Sequence, residues 1–234
     1  MKSTGLKAGM LAGLLAVITI GAFAQTEGDF TTYLDWMGNI TITGYNGNAE
    51  DVVIPAAIGG ARVEAVGENA FAGNAAIRSV TIPASVREIK QGAFRGCAGL
   101  ASISLPQSLT GVKAGAFEDC TSLASVTIPG SVREIGNGAF RGCAALAAIT
   151  LPRGLEEIEV GVFADCTALR TIALPSGLRE ISRDAFYGCT ALTTVTFPPG
   201  LKDIKRGAFI GCVSLDAATK DTILRRFGLK SIYG

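Results

Sequence analysis

A period of 23 residues constrains the fold of this chain more than any other feature, because a shift by that distance aligns like residues from Phe71 to Leu215. One aligned column holds phenylalanine, at Phe71, Phe94, Phe117, Phe140, Phe163, Phe186 and Phe209. A second holds cysteine after an initial asparagine, at Asn74, Cys97, Cys120, Cys143, Cys166, Cys189 and Cys212. A third holds leucine after an initial isoleucine, at Ile77, Leu100, Leu123, Leu146, Leu169, Leu192 and Leu215. A chain with this period is predicted to fold as a stack of similar units.

Each repeat contains a short strand signal that ends at a proline. In one repeat Val126 and Ile128 alternate with small polar residues and Pro129 follows, so backbone pairing should stop there. The return segment adds a second apolar pair, such as Val132 and Ile135, and then Gly-Ala-Phe. Because one repeat cannot cover its own apolar edge, the repeats should stack. The sequence predicts an α/β or mainly-β solenoid, a curved horseshoe of about seven repeats with a parallel sheet on its concave side and short helical or extended turns on its convex side.

The N-terminus has the pattern of a secretory signal. Lys2 and Lys7 precede an apolar run over residues 8–23, which ends in small residues at Ala24. We expect cleavage after Ala24 and export to the periplasm, the cell surface or the medium. The run is shorter than the about 20 apolar residues that span a bilayer, so no membrane span is expected in the mature chain.

Both ends of the repeat array look like caps. Apolar alternation on either side of residues 37–39 predicts a hairpin at the front, and one helical face bearing Ile223, Leu224 and Phe227 stops at Gly228 at the back. The predicted domains are a signal peptide (1–24), an N-terminal capping hairpin (25–53), the repeat solenoid (54–215), and a C-terminal capping helix and tail (216–234).

The repeat unit resembles the BspA-like, or treponemal-type, class of leucine-rich repeats, whose unit reads roughly Cys-x-x-Leu-x-x-Ile-x-Leu-Pro-x-x-Leu-x-x-Ile-x-x-x-Ala-Phe-x-x. Residues 143–188 give nearly two uninterrupted copies, and the resemblance covers about residues 50–215. The extra Ile-Gly-Gly turn at 58–60 also looks like the N-terminal unit of that family. Members are mostly bacterial cell-surface or exported proteins associated with adhesion and binding. The resemblance therefore implies a binding module and carries no catalytic residue.

The cysteine column admits three interpretations. Neighbouring strands lie about 4.8 Å apart, inside the about 4.4 to 6.8 Å range of bridged Cα atoms, so disulfides stay open on distance, although the Cβ vectors should be parallel. The asparagine at position 74 favours a structural ladder of small buried side chains that hydrogen-bond the turning backbone. A metal site is disfavoured because zinc ligands usually come in closely spaced pairs. We expect a reduced ladder, no metal and no cofactor.

Catalysis is not expected, because the chain has no histidine, the commonest general base. Paired carboxylates remain a possible hydrolytic arrangement, so a hydrolase is the least favoured alternative. The acidic residues past each proline are interpreted as a solvated rim, at Glu88, Glu134, Glu156, Glu157, Glu180 and Asp203. We therefore predict that the protein is not an enzyme.

The strand residues between the inward positions should face outward on the concave sheet. They are small and neutral, and they are the candidate binding face: Ser79, Thr81, Ser102, Ser104, Ser125, Thr127, Thr150, Thr171, Thr194 and Thr196. They fit either an ordinary solvent-facing strand or a shallow platform for a peptide or protein. This face lacks the large anchors of most interfaces, so anchors are expected at its edges, at Tyr33, Trp36, Tyr45, Arg78 and Arg170.

Charge excludes some partners. The 21 basic and 20 acidic residues nearly cancel, so neither nucleic acid nor an anionic surface is expected as a partner. The resulting hypothesis is an exported, non-catalytic scaffold that binds a protein or peptide, or a host component, through its concave sheet or caps. The alternative is a structural, self-associating envelope protein.

Overall fold

A computed structural model describes residues 27–228, which form a solenoid of about seven turns with one repeat per turn. The predicted signal peptide and the tail after residue 228 lie outside the described residues. In chain order the strands are β1 (Phe30–Leu34), β2 (Asn39–Tyr45), β3 (Asp51–Val53), β4 (Ala57–Ile58), β5 (Ala61–Val66), β6 (Ser79–Thr81), β7 (Glu88–Ile89), β8 (Ser102–Ser104), β9 (Gly111–Val112), β10 (Ser125–Thr127), β11 (Glu134–Ile135), β12 (Ala148–Thr150), β13 (Glu157–Ile158), β14 (Thr171–Ala173), β15 (Glu180–Ile181), β16 (Thr194–Thr196) and β17 (Asp203–Ile204). One 3-10 turn (Glu27–Asp29) precedes β1, and helix α1 (Ala217–Phe227) follows β17.

The strands that end before each proline form the first parallel ladder. It runs in three sections, β3-β6-β8, β10-β12 and β14-β16, and each strand pairs with the equivalent residues one repeat later, as Val126 does with Ile149. The central residue of each strand points into the core and its two neighbours point out. Because a slip of one residue would expose the central side chain, burial fixes this register. The predicted parallel sheet and solenoid class are confirmed.

The return segments form a second parallel ladder, which the sequence pattern did not reveal as a sheet. It contains β2-β5-β7-β9-β11 and, separately, β13-β15-β17. Most of these strands have two residues, an outward acidic one and an inward isoleucine, as in Glu134 and Ile135. The sequence predicted short helical or extended turns in these segments, and the structure contains extended ones.

The Gly-Ala-Phe turns close the cross-section and are tied together by backbone hydrogen bonds. The amide N of Phe94, for example, donates to the carbonyl O of Ala116 one repeat later at 2.8 Å. This repetition stacks the seven phenylalanine rings from Phe71 to Phe209 with centroids 4.9–6.0 Å apart. The stacked rings, flanked by the leucine and isoleucine columns, form one continuous core.

Two positions in every turn require a left-handed backbone, and they accept glycine, asparagine or aspartate. The first column is Asn69, Gly92, Gly115, Gly138, Gly161, Asp184 and Gly207, and the second is Gly73, Gly96, Asp119, Gly142, Asp165, Gly188 and Gly211. Wherever one of these positions is asparagine or aspartate, the equivalent position in the next repeat is glycine. The reason is spatial: the Asp119 carboxylate occupies the place that a Cβ on Gly142 would take.

This packing rule predicts different costs for two glycines of one turn. A Cβ on Gly138 would meet only the Cβ of Arg141 at 3.8 Å, whereas one on Gly142 would overlap the Asp119 carboxylate. Gly138→Ala should therefore cost the left-handed penalty of about 1–2 kcal/mol, and Gly142→Ala should cost clearly more. Urea unfolding measures both. Adding Asp119→Gly should remove the excess cost of Gly142→Ala, and equal costs for the two glycines would contradict the rule.

The N-terminal cap is the β1-β2 hairpin. β1 pairs antiparallel with β2, and β2 pairs in parallel with β5, so the hairpin supplies the first rung of the second ladder. The extra turn at 58–60 belongs to a second small hairpin, β4-β5, in which Gly59 and Gly60 have positive φ.

The C-terminal cap is helix α1. Asp216 begins it by accepting a hydrogen bond from the amide N of Thr219 at 2.7 Å, and Gly228 ends it with φ 82°. Ile223 is buried, and the hydroxyl of Thr219 accepts from the amide N of Val195 in β16 at 3.4 Å. The helix thus covers the last strand of the first ladder. No helix within residues 27–228 is long and apolar enough to cross a membrane.

Candidate functional site

The cysteine column links successive repeats. Each thiol donates to the carbonyl oxygen of the phenylalanine 26 residues earlier, at 3.0–3.2 Å, beginning with Cys97 to Phe71. All six cysteines are free and buried. Asn74, at the head of the column, is half-buried and instead accepts from the amide N of Ala76 at 3.2 Å. The column therefore ties the phenylalanine turns together.

Burial determines the chemistry of these thiols. It raises the pKa of Cys97 to about 11 and that of Cys143 to about 12. Desolvation also raises the pKa of Cys120 and Cys166, and the neighbouring Cys212 thiol, ahead of desolvation, raises that of Cys189. A neutral, buried thiol is neither a nucleophile nor a metal ligand. Within residues 27–228, no three His, Cys, Asp or Glu side chains are grouped so that they could hold a metal ion.

The predicted binding residues of the first ladder lie on one side of the sheet, and we call this surface the hydroxyl face. All are exposed except the half-buried Ser79. An aspartate lies at each end of the hydroxyl face. The Ser79 hydroxyl donates to Asp51 at 2.6 Å, and the Thr194 hydroxyl donates to Asp216 at 2.9 Å. The face between them is neutral and uniform.

The predicted edge anchors do not form one site. Tyr33 and Trp36 are 62% and 91% exposed on the N-terminal hairpin. Tyr45 instead packs into the cap, with its ring 5.3 Å from Phe30, and its hydroxyl accepts from the amide N of Ala49 at 3.3 Å. Arg78 and Arg170 are both exposed, but they occupy equivalent positions four repeats apart.

A groove crosses the surface of the Gly-Ala-Phe turns, and sequence reasoning missed it. It has a volume of about 520 Å³ and spans six repeats, from Asn69 to Asp184. Four left-handed glycines form its floor: Gly92, Gly115, Gly138 and Gly161. Its walls are the columns on either side of that floor, at Gln91, Asn137, Val160, Arg95, Glu118, Arg141, Ala164 and Tyr187. We call this the turn groove.

The two ends of the turn groove carry opposite charge. At one end Glu118 lies between Arg95, at 3.2 Å, and Arg141, at 4.0 Å, which leaves one arginine in excess. At the other end the lining includes Asp165 and Asp184. The wall residues change between neighbouring repeats, although Arg95 and Arg141 are the same residue type, while the floor is nearly constant. That contrast between columns is the sequence signal that could have found the groove.

The acidic rim lies on the outer side of the second ladder, where lysines partly neutralise it. Lys113 sits between Glu88, at 3.5 Å, and Glu134, at 2.7 Å. Glu157 accepts from the Ser182 hydroxyl at 2.7 Å. Burial raises the pKa of Glu159, and the charges of Glu134 and Glu157 raise it further.

Comparison with known proteins identifies the repeat. Six copies of the BspA type leucine rich repeat region match residues 64–183 and 158–233. The chain belongs to this family. The BspA-type assignment confirms the resemblance noted from the repeat unit, and proteins of this type are typically non-enzymatic binding scaffolds.

Solved structures of other proteins share this fold. A Treponema pallidum leucine-rich repeat protein is 34% identical with a TM-score of 0.82, and the match covers 86% of this chain and 94% of that one. A Bacteroides ovatus leucine-rich repeat protein is 27% identical with a TM-score of 0.60, covering 78% of this chain and 55% of that one. The pneumococcal vaccine antigen PcpA is 21% identical with a TM-score of 0.57, covering 76% and 48%, which shows the fold alone. No curated protein matches the chain.

Proposed function

We propose that this protein is an exported, non-catalytic scaffold that binds an extended segment of a protein or peptide partner in the turn groove. The observation that carries the proposal is the groove itself, a polar channel across six repeats whose wall residues differ from repeat to repeat. The leader pattern in residues 1–24 supports export to the periplasm or the cell surface. The class of the partner follows from the dimensions and charges of the groove.

The length of the groove suits an extended chain. Repeats lie about 4.8 Å apart, so six of them span about 24 Å, which accommodates about seven residues at 3.3 Å each. Exposed Tyr187 and Val160, 44% and 46% accessible, offer apolar contact toward the acidic end. Backbone groups of the floor already bond between repeats, so side chains should determine the specificity.

Charge predicts what the segment carries. Arg95 and Arg141 should face an acidic residue of the partner, and Asp165 and Asp184 should face a basic one. Measured from Glu118, midway between the two arginines, Asp165 and Asp184 lie two to three repeats away, about 10–14 Å, which places the two partner residues about three or four positions apart.

A peptide-display experiment tests the proposal. Random peptides selected on the purified protein should converge on acidic and basic residues at that spacing. Binding should weaken at least tenfold in the variant Arg95→Glu, Arg141→Glu, because both cations facing the peptide carboxylate are reversed, and it should weaken with salt. Fluorescence polarisation of a selected peptide measures both effects.

A variant of the hydroxyl face is the matched control. Ser104→Arg, Thr127→Arg and Thr150→Arg add charge to exposed strand positions and should leave peptide binding within about twofold. The opposite result, with binding lost on the hydroxyl face and kept in the groove variant, would assign recognition to the first ladder. Selection of no peptide by the native protein would remove the binding proposal.

A further inference from the structure

The two ends of the solenoid are capped by different elements. Helix α1 covers the last strand of the first ladder, whereas the hairpin strand β1 pairs antiparallel with β2 and forms the edge of the sheet that contains the second ladder. No strand among residues 27–228 pairs with the outer edge of β1. Its residues after Phe30 are all exposed, and it contains neither lysine nor proline, the residues that commonly protect a free edge.

On its outer side, β1 presents regularly spaced backbone groups that no strand within residues 27–228 uses. The backbone groups of Asp29 and Asp35 form hydrogen bonds on the side of β1 that faces β2. Because backbone groups alternate between the two sides of an antiparallel strand, those of the odd-numbered residues face β2 and those of the even-numbered residues face outward. The extra residue of the bulge, Thr43, lies on β2, and β1 therefore stays regular. The amide and carbonyl groups of Thr32 and Leu34 consequently point away from the molecule.

The side chains near this edge are unusually apolar for a surface. Tyr33, Leu34, Trp36 and Met37 are all more than half exposed. The turn that presents the last two is well ordered by hydrogen bonds, because the Asp35 carboxylate accepts from the amide N of Met37 at 2.8 Å and of Asn39 at 2.9 Å. A fixed apolar patch beside a free strand edge marks an interaction surface.

We propose that β1 pairs antiparallel with β1 of a second copy of this chain, joining the second ladders of two solenoids into one sheet about a twofold axis. An identical strand is self-complementary in this geometry, because both copies present the outward groups of Thr32 and Leu34. The near balance of 21 basic and 20 acidic residues leaves no net repulsion between copies. The proposal does not rest on the turn groove.

Charge selects the register. Pairing centred on Thr32 would set Asp29 of one copy opposite Asp35 of the other, and like charges directly opposite are destabilising. Pairing centred on Tyr33 instead sets Thr31 opposite Asp35. It also pairs Thr32 with Leu34 through four hydrogen bonds and puts the two Tyr33 rings side by side at the twofold axis. The structure assigns this second register.

Disulfide trapping tests the register directly. At a non-hydrogen-bonded antiparallel pair the Cα atoms lie about 4.5 Å apart, so Tyr33→Cys should oxidise rapidly to a covalent dimer. The six native cysteines are buried and provide little background. Thr196→Cys, at an exposed position on β16 at the opposite end of the solenoid, is the control and should stay monomeric. Efficient trapping of Thr32→Cys in place of Tyr33→Cys would overturn the register.

Sedimentation tests the edge without added cysteines. Thr32→Pro removes an outward amide that the hairpin does not use, so it should weaken dimerisation at least tenfold, while Thr32→Ala should not. Circular dichroism checks that both variants fold. The native chain has a mass of 24.0 kDa, or less after signal-peptide cleavage. Sedimentation as a monomer at about 100 μM would overturn the proposal, and the β1 edge would then be available to a strand of a different protein.

Discussion

Raising the pH above about 9.5 is expected to unfold this protein steeply, because its buried cysteine column must stay protonated in the folded state. Unfolded thiols release their protons near pH 8.5, whereas burial holds the pKa of Cys97 at about 11 and that of Cys143 at about 12. The unfolded chain therefore binds fewer protons above pH 8.5, and the free energy of unfolding falls as the pH rises. This stability is complete below pH 8.5 and is lost through the folded pKa values.

The size of the effect follows from the number of thiols. Five cysteines have a raised pKa, and each costs about 1.4 kcal/mol per pH unit, so the slope should reach about 7 kcal/mol per unit. One unit would remove a large part of a typical stability of about 5–15 kcal/mol. Urea unfolding under reducing conditions at several pH values gives the slope.

Serine provides the control, because its hydroxyl can donate to the same phenylalanine carbonyl and does not ionise in this range. Replacing Cys120, Cys143 and Cys166 by serine should reduce the slope to about 3 kcal/mol per unit, whatever it does to stability at neutral pH. A slope that is the same in both proteins would contradict this account. Lysine and tyrosine titration is common to both and cancels in the comparison.

The periodic part of the fold was predictable from sequence because its signals are side-chain types in fixed phase. The phenylalanine and leucine columns predicted the core, and the alternation around Val126 predicted the first ladder. The second ladder was not recognised as a sheet because a strand of two residues, such as Glu134–Ile135, has no alternation to detect. Its pairing depends on residues 23 positions away, and stacking of the first ladder dictates that pairing.

The candidate sites were less predictable, because the turn groove depends on missing side chains and the exposed hairpin residues depend on how β1 pairs with β2. The turn groove exists where glycines leave the backbone uncovered, and its floor column could have been read as a left-handed position from the shared presence of glycine and aspartate at Gly161 and Asp184. Tyr33 and Tyr45 look equivalent in the sequence. The hairpin register places one ring on the surface and packs the other against Phe30.

Phe140→Ala should be strongly destabilising, because Phe140 lies in the middle of the phenylalanine stack. The ring is fully buried and stacks on Phe117 at 5.2 Å and on Phe163 at 6.0 Å, so its removal leaves a cavity between two repeats. Truncation of a buried phenylalanine costs about 3–5 kcal/mol. Because each repeat contacts only its neighbours, this cavity also weakens the coupling between the repeats before Phe140 and those after it.

The expected result is therefore a change in the shape of unfolding as well as in its midpoint. Urea titration followed by circular dichroism should broaden or split into two transitions, and hydrogen exchange should show one half opening before the other. Phe197→Ala is the matched control, because that ring is half-buried near α1, 6.1 Å from Phe209, and its loss should cost less and leave one transition. A single transition with a loss under about 1 kcal/mol for Phe140→Ala would show that the phenylalanine stack does not couple the repeats.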